Sequence, residues 1–478
     1  MIIAEPEADN KNRPQLENPN QPLLSSSNGP PPPPYVPTPN PSYNIHYPAL
    51  PHHHGDEAVL YHESPVKRFW KAFAVALLIW FLVAALTDSV AQVAQLRLRR
   101  IKSWTRPLFN DRHQSPDGMV HRCIATSDWT TYHNDWKNGY TFGAETNISV
   151  PLESAFFLLS RGSYQHGHLD IEQSDSLGPE DRAVVQIKAN YRDIAALGLF
   201  SVCELHRGDD EYGVGFFTPT RPGRHRDDIR FDVKFILPAS KRGTLLRVKG
   251  FDTNLPHFTQ EVADLADLIH FEKITLASSA MPIRVKSVTA SVGSFVTANA
   301  PVEGSFRSDG HLELVTSNAH VQSSISLLNV DDNLPTVLNI STNNGSIEMD
   351  VTLHTPSGMG GAFDVNARTL NAPVVMAYTS SPVDSILRSM ASTLNSPARM
   401  TLPAAFEGEF ELESRHAEPS VEQRSMEDPT GQGRHRRVNQ SSLADRLLGS
   451  TRWTDVATGH KTSKATVKTS NSPAQLVI

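Results

Sequence analysis

Hydrophobic and polar residues alternate along much of the chain after residue 140. Residues 229–236 read Ile-Arg-Phe-Asp-Val-Lys-Phe-Ile, and residues 168–171 and 245–248 carry shorter versions of the same alternation. A period of two places the apolar side chains on one face of a β-strand. The pattern predicts a mainly β fold of short strands separated by polar turns, and we expect these strands to join one sheet system.

One stretch has a different period. Phe258, Val262, Leu265 and Ile269 recur at helical spacing, and Thr259 is of a residue type that caps helix N-termini. We therefore expect a helix at the end of a β-strand-rich domain that spans residues 141–270. Such a helix would cover one end of a repeat array.

The most apolar segment lies nearer the N-terminus. Residues 72–87 are sixteen residues without a charge, which make about 24 Å of helix against a hydrocarbon core of roughly 30 Å. Flanking aromatic and basic residues can supply the remaining length. Nine Leu, Ile, Phe or Val residues favour insertion by roughly 3–5 kcal/mol. The segment predicts one transmembrane helix within residues 67–95, followed by a juxtamembrane region over residues 96–140.

The orientation of this helix follows from the long part after it. Three basic residues lie close to its N-terminal side and four close to its C-terminal side. The positive-inside rule alone therefore slightly favours a cytosolic C-terminal side. Long domains translocate largely regardless of charge, and all four N-glycosylation sequons follow the helix. We expect a cytosolic N-terminus and a glycoprotein in the secretory pathway or at the cell surface, with acceptors at Asn147, Asn339, Asn344 and Asn439.

The composition of residues 1–66 predicts a disordered, Pro-rich tail, because this stretch contains too few aliphatic residues to form a core. Within this tail Pro32, Pro33 and Tyr35 fit P-P-x-Y, a ligand of WW domains that is presented as a preformed polyproline II segment. An alternative function is therefore a membrane adaptor that recruits a WW-domain ubiquitin ligase through its tail.

The C-terminal half contains a repeated hexapeptide, Thr-x-Asn-small-x-aliphatic. Asn before a small residue is typical of turns, and a β-branched Thr suits the end of the preceding strand. Stacked copies could align their amides in a side-chain ladder along a solenoid; a sandwich-like fold that uses the hexapeptide as a hairpin turn is the other interpretation. The repeats lie within residues 271–478, with a charged insertion at 418–450, and their Asn residues are Asn299, Asn318, Asn344, Asn371, Asn395 and Asn471.

With its Pro-rich tail, single apolar segment and T-S-N-A and T-N-N-G-S-I repeats, the chain resembles uncharacterised fungal single-pass membrane proteins with an adhesin-like β-repeat ectodomain. The resemblance covers residues from about Tyr140 onward. It implies a β-rich ectodomain and no catalytic residue.

Charge and cysteine content narrow the functional classes. A formal net charge of -7 argues against nucleic-acid binding, which needs a basic surface. The chain has two cysteines, Cys123 and Cys203, which could form one disulfide if this part is lumenal.

Standard motifs for nucleophilic catalysis, zinc proteases and nucleotide binding are missing from the sequence, and the run His52-His53-His54, which could hold a metal loosely, fits a disordered polar tract better. We therefore expect no enzyme activity and no cofactor. The expected function is a binding, adhesion or scaffold module for a glycan or protein ligand. The remaining alternative is a β-helix carbohydrate-active enzyme that uses Asp331, Asp332 and Asp350.

Overall fold

The computed structural model describes residues 117–133, 139–163, 165–175, 182–219, 228–240, 244–443, 445–453 and 463–478. The predicted tail, the predicted membrane helix and the motif Pro32, Pro33 and Tyr35 lie outside these residues. Nowhere in the described part does a helix combine the length and the apolar character that crossing a membrane requires. The described residues are mainly β, as predicted, and include short 3₁₀ helices at Thr126–Asp128 and Ile194–Gly198.

The first strands are β1 (Met119–Cys123), β2 (Thr130–His133), β3 (Phe142–Pro151), β4 (Ala155–Arg161), β5 (Gln165–Ser174), β6 (Arg182–Tyr191), β7 (Ser201–Arg207), β8 (Glu211–Phe217) and β9 (Ile229–Pro238). The middle strands are β10 (Leu246–Val248), β11 (Phe251–Asn254), β12 (Phe258–Asp264), β13 (Ile269–Ala277), β14 (Ile283–Val296), β15 (Val302–Val315), β16 (Val321–Leu328), β17 (Thr336–Ser341), β18 (Ile347–His354), β19 (Ala362–Arg368), β20 (Val374–Ser380), β21 (Ile386–Ser392) and β22 (Ala398–Thr401). The last strands are β23 (Gly408–Ser414), β24 (Ser420–Glu422), β25 (Arg436–Leu443), β26 (Arg446–Trp453), β27 (Ser463–Thr469) and β28 (Ala474–Val477).

Most strands pair in parallel and form two ladders. The first ladder runs in the order β9, β5, β12, β14, β15, β16, β18, β20, β22, β28 and β24. The second ladder runs in the order β8, β4, β11, β13, β14, β15, β17, β19, β21, β27 and β23. Strands β14 and β15 have 14 residues each and belong to both ladders. Each coil is made of one strand from each ladder or, at β14 and β15, of one long strand that belongs to both, and successive coils stack in parallel.

Antiparallel strands extend the ladders at their ends. Strands β6, β3 and β2 continue the first ladder beyond β9, and β7 and β1 continue the second beyond β8. Residues 117–133, expected in a juxtamembrane region, therefore contribute strands to the sheet. The first ladder is also continuous across residue 270, because β12 pairs with β5 on one side and with β14 on the other.

The core lies between the two ladders. In β16 the buried positions are Val321, Ser323, Ile325 and Leu327, and the residues between them are exposed or half-buried. The same alternation recurs in most strands and produces one continuous apolar cluster. Burial of this apolar surface is the main favourable contribution to folding.

The helix predicted near residues 258–269 is wrong, because this segment forms β12 and the start of β13. The buried residues of β12 are Phe258, Gln260 and Val262, which have the strand period. Gln260 is fully buried: its side chain accepts a 2.7 Å hydrogen bond from Thr253 Oγ1 and donates one of 2.9 Å to the Ala277 carbonyl. This polar residue at a core position disguised the alternation, and Thr259 is a strand residue and not a helix cap.

The charged insertion changes the order of the coils. After β22 the chain forms β23 and β24, and then β25 and β26, which make an antiparallel hairpin against β23. It then returns to form β27 and β28. Strand β27 lies between β21 and β23, and β28 lies between β22 and β24. The last repeat thus occupies the position between two coils that precede it in the sequence.

Candidate functional site

The repeated Asn residues form a continuous hydrogen-bonded row, the Asn ladder, at the corner where each second-ladder strand ends. The side-chain amide of every ladder Asn after Asn299 donates to the side-chain oxygen of the ladder Asn in the neighbouring coil. The five bonds measure 2.6–2.7 Å and join Asn299, Asn318, Asn344, Asn371, Asn395 and Asn471 in that order. The bond from Asn471 to Asn395 spans 76 residues of sequence, which reflects the displaced last repeat.

The Thr of the hexapeptide also joins consecutive coils. Thr342 Oγ1 donates to the Ala319 carbonyl at 3.2 Å, and Thr369 Oγ1 donates to the Gly345 carbonyl at 3.1 Å. Both Thr side chains are buried, so these bonds satisfy hydroxyl groups that water cannot reach. The polar residues of the hexapeptide therefore hold the scaffold together.

The four sequon asparagines have different surroundings. Asn147 in β3 and Asn439 in β25 are exposed, while Asn339 in β17 is half-buried. Asn344 belongs to the Asn ladder, where its amide donates to Asn318 and accepts from Asn371. Asn147 and Asn439 are thus the sequon asparagines that are exposed and lie outside the Asn ladder.

Cys123 and Cys203 form a disulfide that joins strands 80 residues apart in sequence. They are register partners in the antiparallel pair β1 and β7. The Ile124 amide donates to the Val202 carbonyl at 2.8 Å, which continues this pairing. The disulfide therefore fastens an outer strand of the sheet just before the 3₁₀ helix Thr126–Asp128.

A concave region with a volume of about 530 Å³, which we call the N-terminal hollow, lies beside this 3₁₀ helix. His133, Phe142 and Tyr191 are register partners across β2, β3 and β6. The Phe142 and Tyr191 rings stack with their centroids 5.9 Å apart, and the His133 ring meets Phe142 edge-on at 5.5 Å. The described lining residues are Thr126, Ser127, Trp129, Thr131, Tyr132, His133, Phe142, Tyr191, Ile194 and Leu197.

The second 3₁₀ helix supplies the rim of this hollow. Asp193 Oδ1 accepts a 3.0 Å hydrogen bond from the Ala195 amide and so caps the helix. Ile194, which lines the hollow, is 67% exposed. Burial raises the pKa of the Tyr191 hydroxyl. The described lining residues are mainly aromatic, aliphatic and hydroxyl-bearing, which is the kind of lining that small-molecule sites use for apolar contact and hydrogen bonding.

A second concave surface, the C-terminal hollow of about 450 Å³, lies on β23, β25, β26 and β27 and is lined in part by Asn439. Two of its three charged residues form an ion pair: Glu411 Oε2 lies 3.0 Å from Lys464 Nζ, and Glu409 is the third. The hydrogen bond from Lys464 lowers the pKa of the Glu411 carboxyl. This surface is therefore more polar than the N-terminal hollow.

Three side chains on the outer face of the first ladder could hold a metal ion. His168, Asp170 and Glu261 each offer a ligand atom, and these atoms lie within 4.8 Å of one another. No sequence motif indicated this group, because its members come from different strands.

Two of the three aspartates of the enzyme alternative accept hydrogen bonds from the local backbone. Asp331 Oδ1 accepts a 2.9 Å hydrogen bond from the Asn333 amide, and Asp332 Oδ1 accepts one of 2.9 Å from the Gly361 amide. Gly361 has φ +90°, a conformation that favours glycine. Asp350 lies in β18, at an exposed position. The Asp331–Asp332 pair thus stabilises a corner between coils.

Comparison with known proteins finds no matching family model and no matching curated protein. Among solved structures, the chain is similar to a "putative cell adhesion protein" from Clostridium sporogenes, with 7% identity and a TM-score of 0.15 over 70% of this chain and 99% of that chain. Such a TM-score does not establish a common fold.

Proposed function

We propose that this chain is a single-pass membrane protein whose β ectodomain is a non-catalytic binding or adhesion module for a glycan or protein ligand. The observation that carries the proposal is that the repeated polar residues join one coil to the next. The Thr and Asn side chains of the hexapeptide bond to neighbouring coils, so the repeat builds a rigid scaffold. The N-terminal hollow, at one end of this scaffold, is the surface we assign to the ligand.

The disulfide supports an ectodomain outside the cytosol, because disulfides persist in oxidising compartments and Cys123 and Cys203 are bonded. In this proposal residues 72–87 cross the membrane and residues 1–66 face the cytosol. The motif with Tyr35 would then be available to a WW-domain protein.

Two measurements test the proposal. Alkaline carbonate should leave the full-length chain in the membrane fraction and release a variant that lacks residues 72–87. Binding to arrays of neutral oligosaccharides and of extracellular proteins should weaken in Ile194→Asp, which adds a charge to the N-terminal hollow. Val330→Asp is the matched control, because Val330 is also 67% exposed and lies outside the hollow. Release of the full-length chain, or equal binding by both variants, would contradict the proposal.

A further inference from the structure

We propose that His168, Asp170 and Glu261 form a binding site for a divalent transition-metal ion, with Zn²⁺ as the best match. The proposal is independent of the ligand assigned to the N-terminal hollow. It concerns the outer face of the first ladder, where β5 and β12 pair in parallel.

The register of the two strands brings the three side chains together. His168 and Asp170 are two residues apart in β5, so both point to the same face of the sheet. Asp170 is the register partner of Glu261 in β12. All three side chains are half-buried, and the sheet backbone fixes the positions from which they extend.

The distances suit a tetrahedral ion. His168 Nε2 lies 2.8 Å from Asp170 Oδ1 and 3.9 Å from Glu261 Oε2. Around Zn²⁺ with ligand bonds of about 2.0–2.1 Å, neighbouring ligand atoms lie roughly 3.3 Å apart. The two measured separations lie on either side of this value, so small side-chain rotations would produce it. Three protein ligands leave the fourth position for water or for a group of a bound partner.

The charges at the site also favour a cation. Asp170 and Glu261 place like charges at directly paired positions of neighbouring strands, which is unfavourable without compensation. The residues paired with them on their other sides, Lys234 and Arg284, are basic, and Lys234 Nζ lies 3.3 Å from Glu172 Oε1. Arg284 approaches Glu261 Oε1 at 3.5 Å and Glu303 Oε2 at the same distance. If a metal ion binds the Glu261 carboxylate, the Arg284 guanidinium still has an ion-pair partner, because it also contacts Glu303. Imidazole nitrogen and carboxylate oxygen are both ligands that zinc accepts, whereas Mg²⁺ and Ca²⁺ prefer oxygen ligands alone.

The test uses the full-length chain with His52, His53 and His54 replaced by Ala, because that histidine run could itself bind metal. Zinc chloride is titrated while the midpoint of thermal unfolding and the amide exchange of β5 and β12 are measured. An ion that binds the folded state raises the midpoint with its concentration. We expect such a rise and slower exchange in both strands, and at least about tenfold weaker zinc affinity in His168→Asn and in Glu261→Gln.

The matched control is His320→Asn. His320 Nε2 lies 2.9 Å from Glu303 Oε1, which is the same kind of His–carboxylate pair on the same ladder, but the described residues do not place it in a three-ligand group. Its zinc response should equal that of the parent. Glu261→Gln keeps the side-chain size, so it decides the outcome if His168→Asn does not fold. An unchanged response in Glu261→Gln, an equal loss in His320→Asn, or a larger midpoint shift with Mg²⁺ would overturn the site.

Discussion

Replacement of Asn371 by Ala removes an interior member of the Asn ladder. The amide of Asn371 donates to Asn344 Oδ1 at 2.7 Å, and its oxygen accepts from Asn395 Nδ2 at 2.6 Å. Asn299 lies at the end of the ladder and makes a single bond within it, accepting from Asn318 at 2.7 Å. The same replacement at Asn299 is therefore the matched control.

The expected cost follows from the number of bonds. A net contribution of about 0.5–1.5 kcal/mol per hydrogen bond gives roughly 1–3 kcal/mol for Asn371→Ala and about half of that for Asn299→Ala. The ladder side chains are exposed at Asn344, Asn371 and Asn395. Water can therefore reach the groups that the substitution leaves unpaired, and we expect values in the lower half of these ranges.

Two assays measure this difference. Urea unfolding gives the change in free energy, provided that the slope against denaturant is the same in parent and variants. Amide exchange gives the local effect, because the Leu394 and Asn395 amides both donate to the Leu370 carbonyl beside the substitution. Exchange at these amides should accelerate in Asn371→Ala and stay unchanged in Asn299→Ala.

An aspartate at position 371 separates the ladder bonds from simple loss of side-chain volume. A carboxylate can accept from Asn395 but cannot donate to Asn344, and it places two oxygen acceptors against each other. Asn371→Asp should therefore cost more than Asn371→Ala at neutral pH. Equal costs for Asn299→Ala and Asn371→Ala, or an aspartate as stable as the parent, would refute the ladder as a source of stability.

Three further outcomes follow from single contacts. Cys203→Ala should cost roughly 2–4 kcal/mol, because the disulfide closes a long loop, and chemical denaturation of parent and variant checks this. Gln260→Leu should cost about 1–3 kcal/mol, since it leaves the buried Thr253 hydroxyl without its acceptor, and a midpoint shift in thermal unfolding measures it. The hydrogen bond from Arg434 holds the pKa of the Asp428 carboxyl well below its ordinary value. The stabilisation that the ionised Asp428 carboxylate gives the folded state is therefore present above its ordinary pKa and is lost as the pH falls. In Asp428→Asn, amide exchange at residues 430–434 should no longer depend on acid in this way.

The repeat could be predicted because its signal is local. Each hexapeptide carries its own turn chemistry within six residues, and Asn318 and Asn344 lie at the corner where that chemistry placed them. Parallel stacking then follows from repetition, since equal turns bring equal residues into register. The mainly β fold was predictable for a similar reason: alternation along one strand needs no information from another.

Features that depend on distant segments could not be predicted. The helix predicted near residue 258 was wrong because Gln260 finds buried partners at Thr253 and Ala277, which no periodicity reveals. The N-terminal hollow combines residues from 126 to 197. The group with His168 and Glu261 depends on the register of β5 against β12, and that register is a property of the folded sheet.

The displaced last repeat has a consequence for how the chain is made. Synthesis runs from the N-terminus, so β23 and β24 leave the ribosome before β27 and β28, which separate them from β21 and β22. Coils before β23 can stack as they emerge, but β23 has only the antiparallel β26 beside it, and the parallel neighbours of β23 and β24 are not complete until residue 477 is translated. A message cut short within this repeat would therefore yield a chain with exposed strand edges, which is the kind of surface that chaperones and proteases act on.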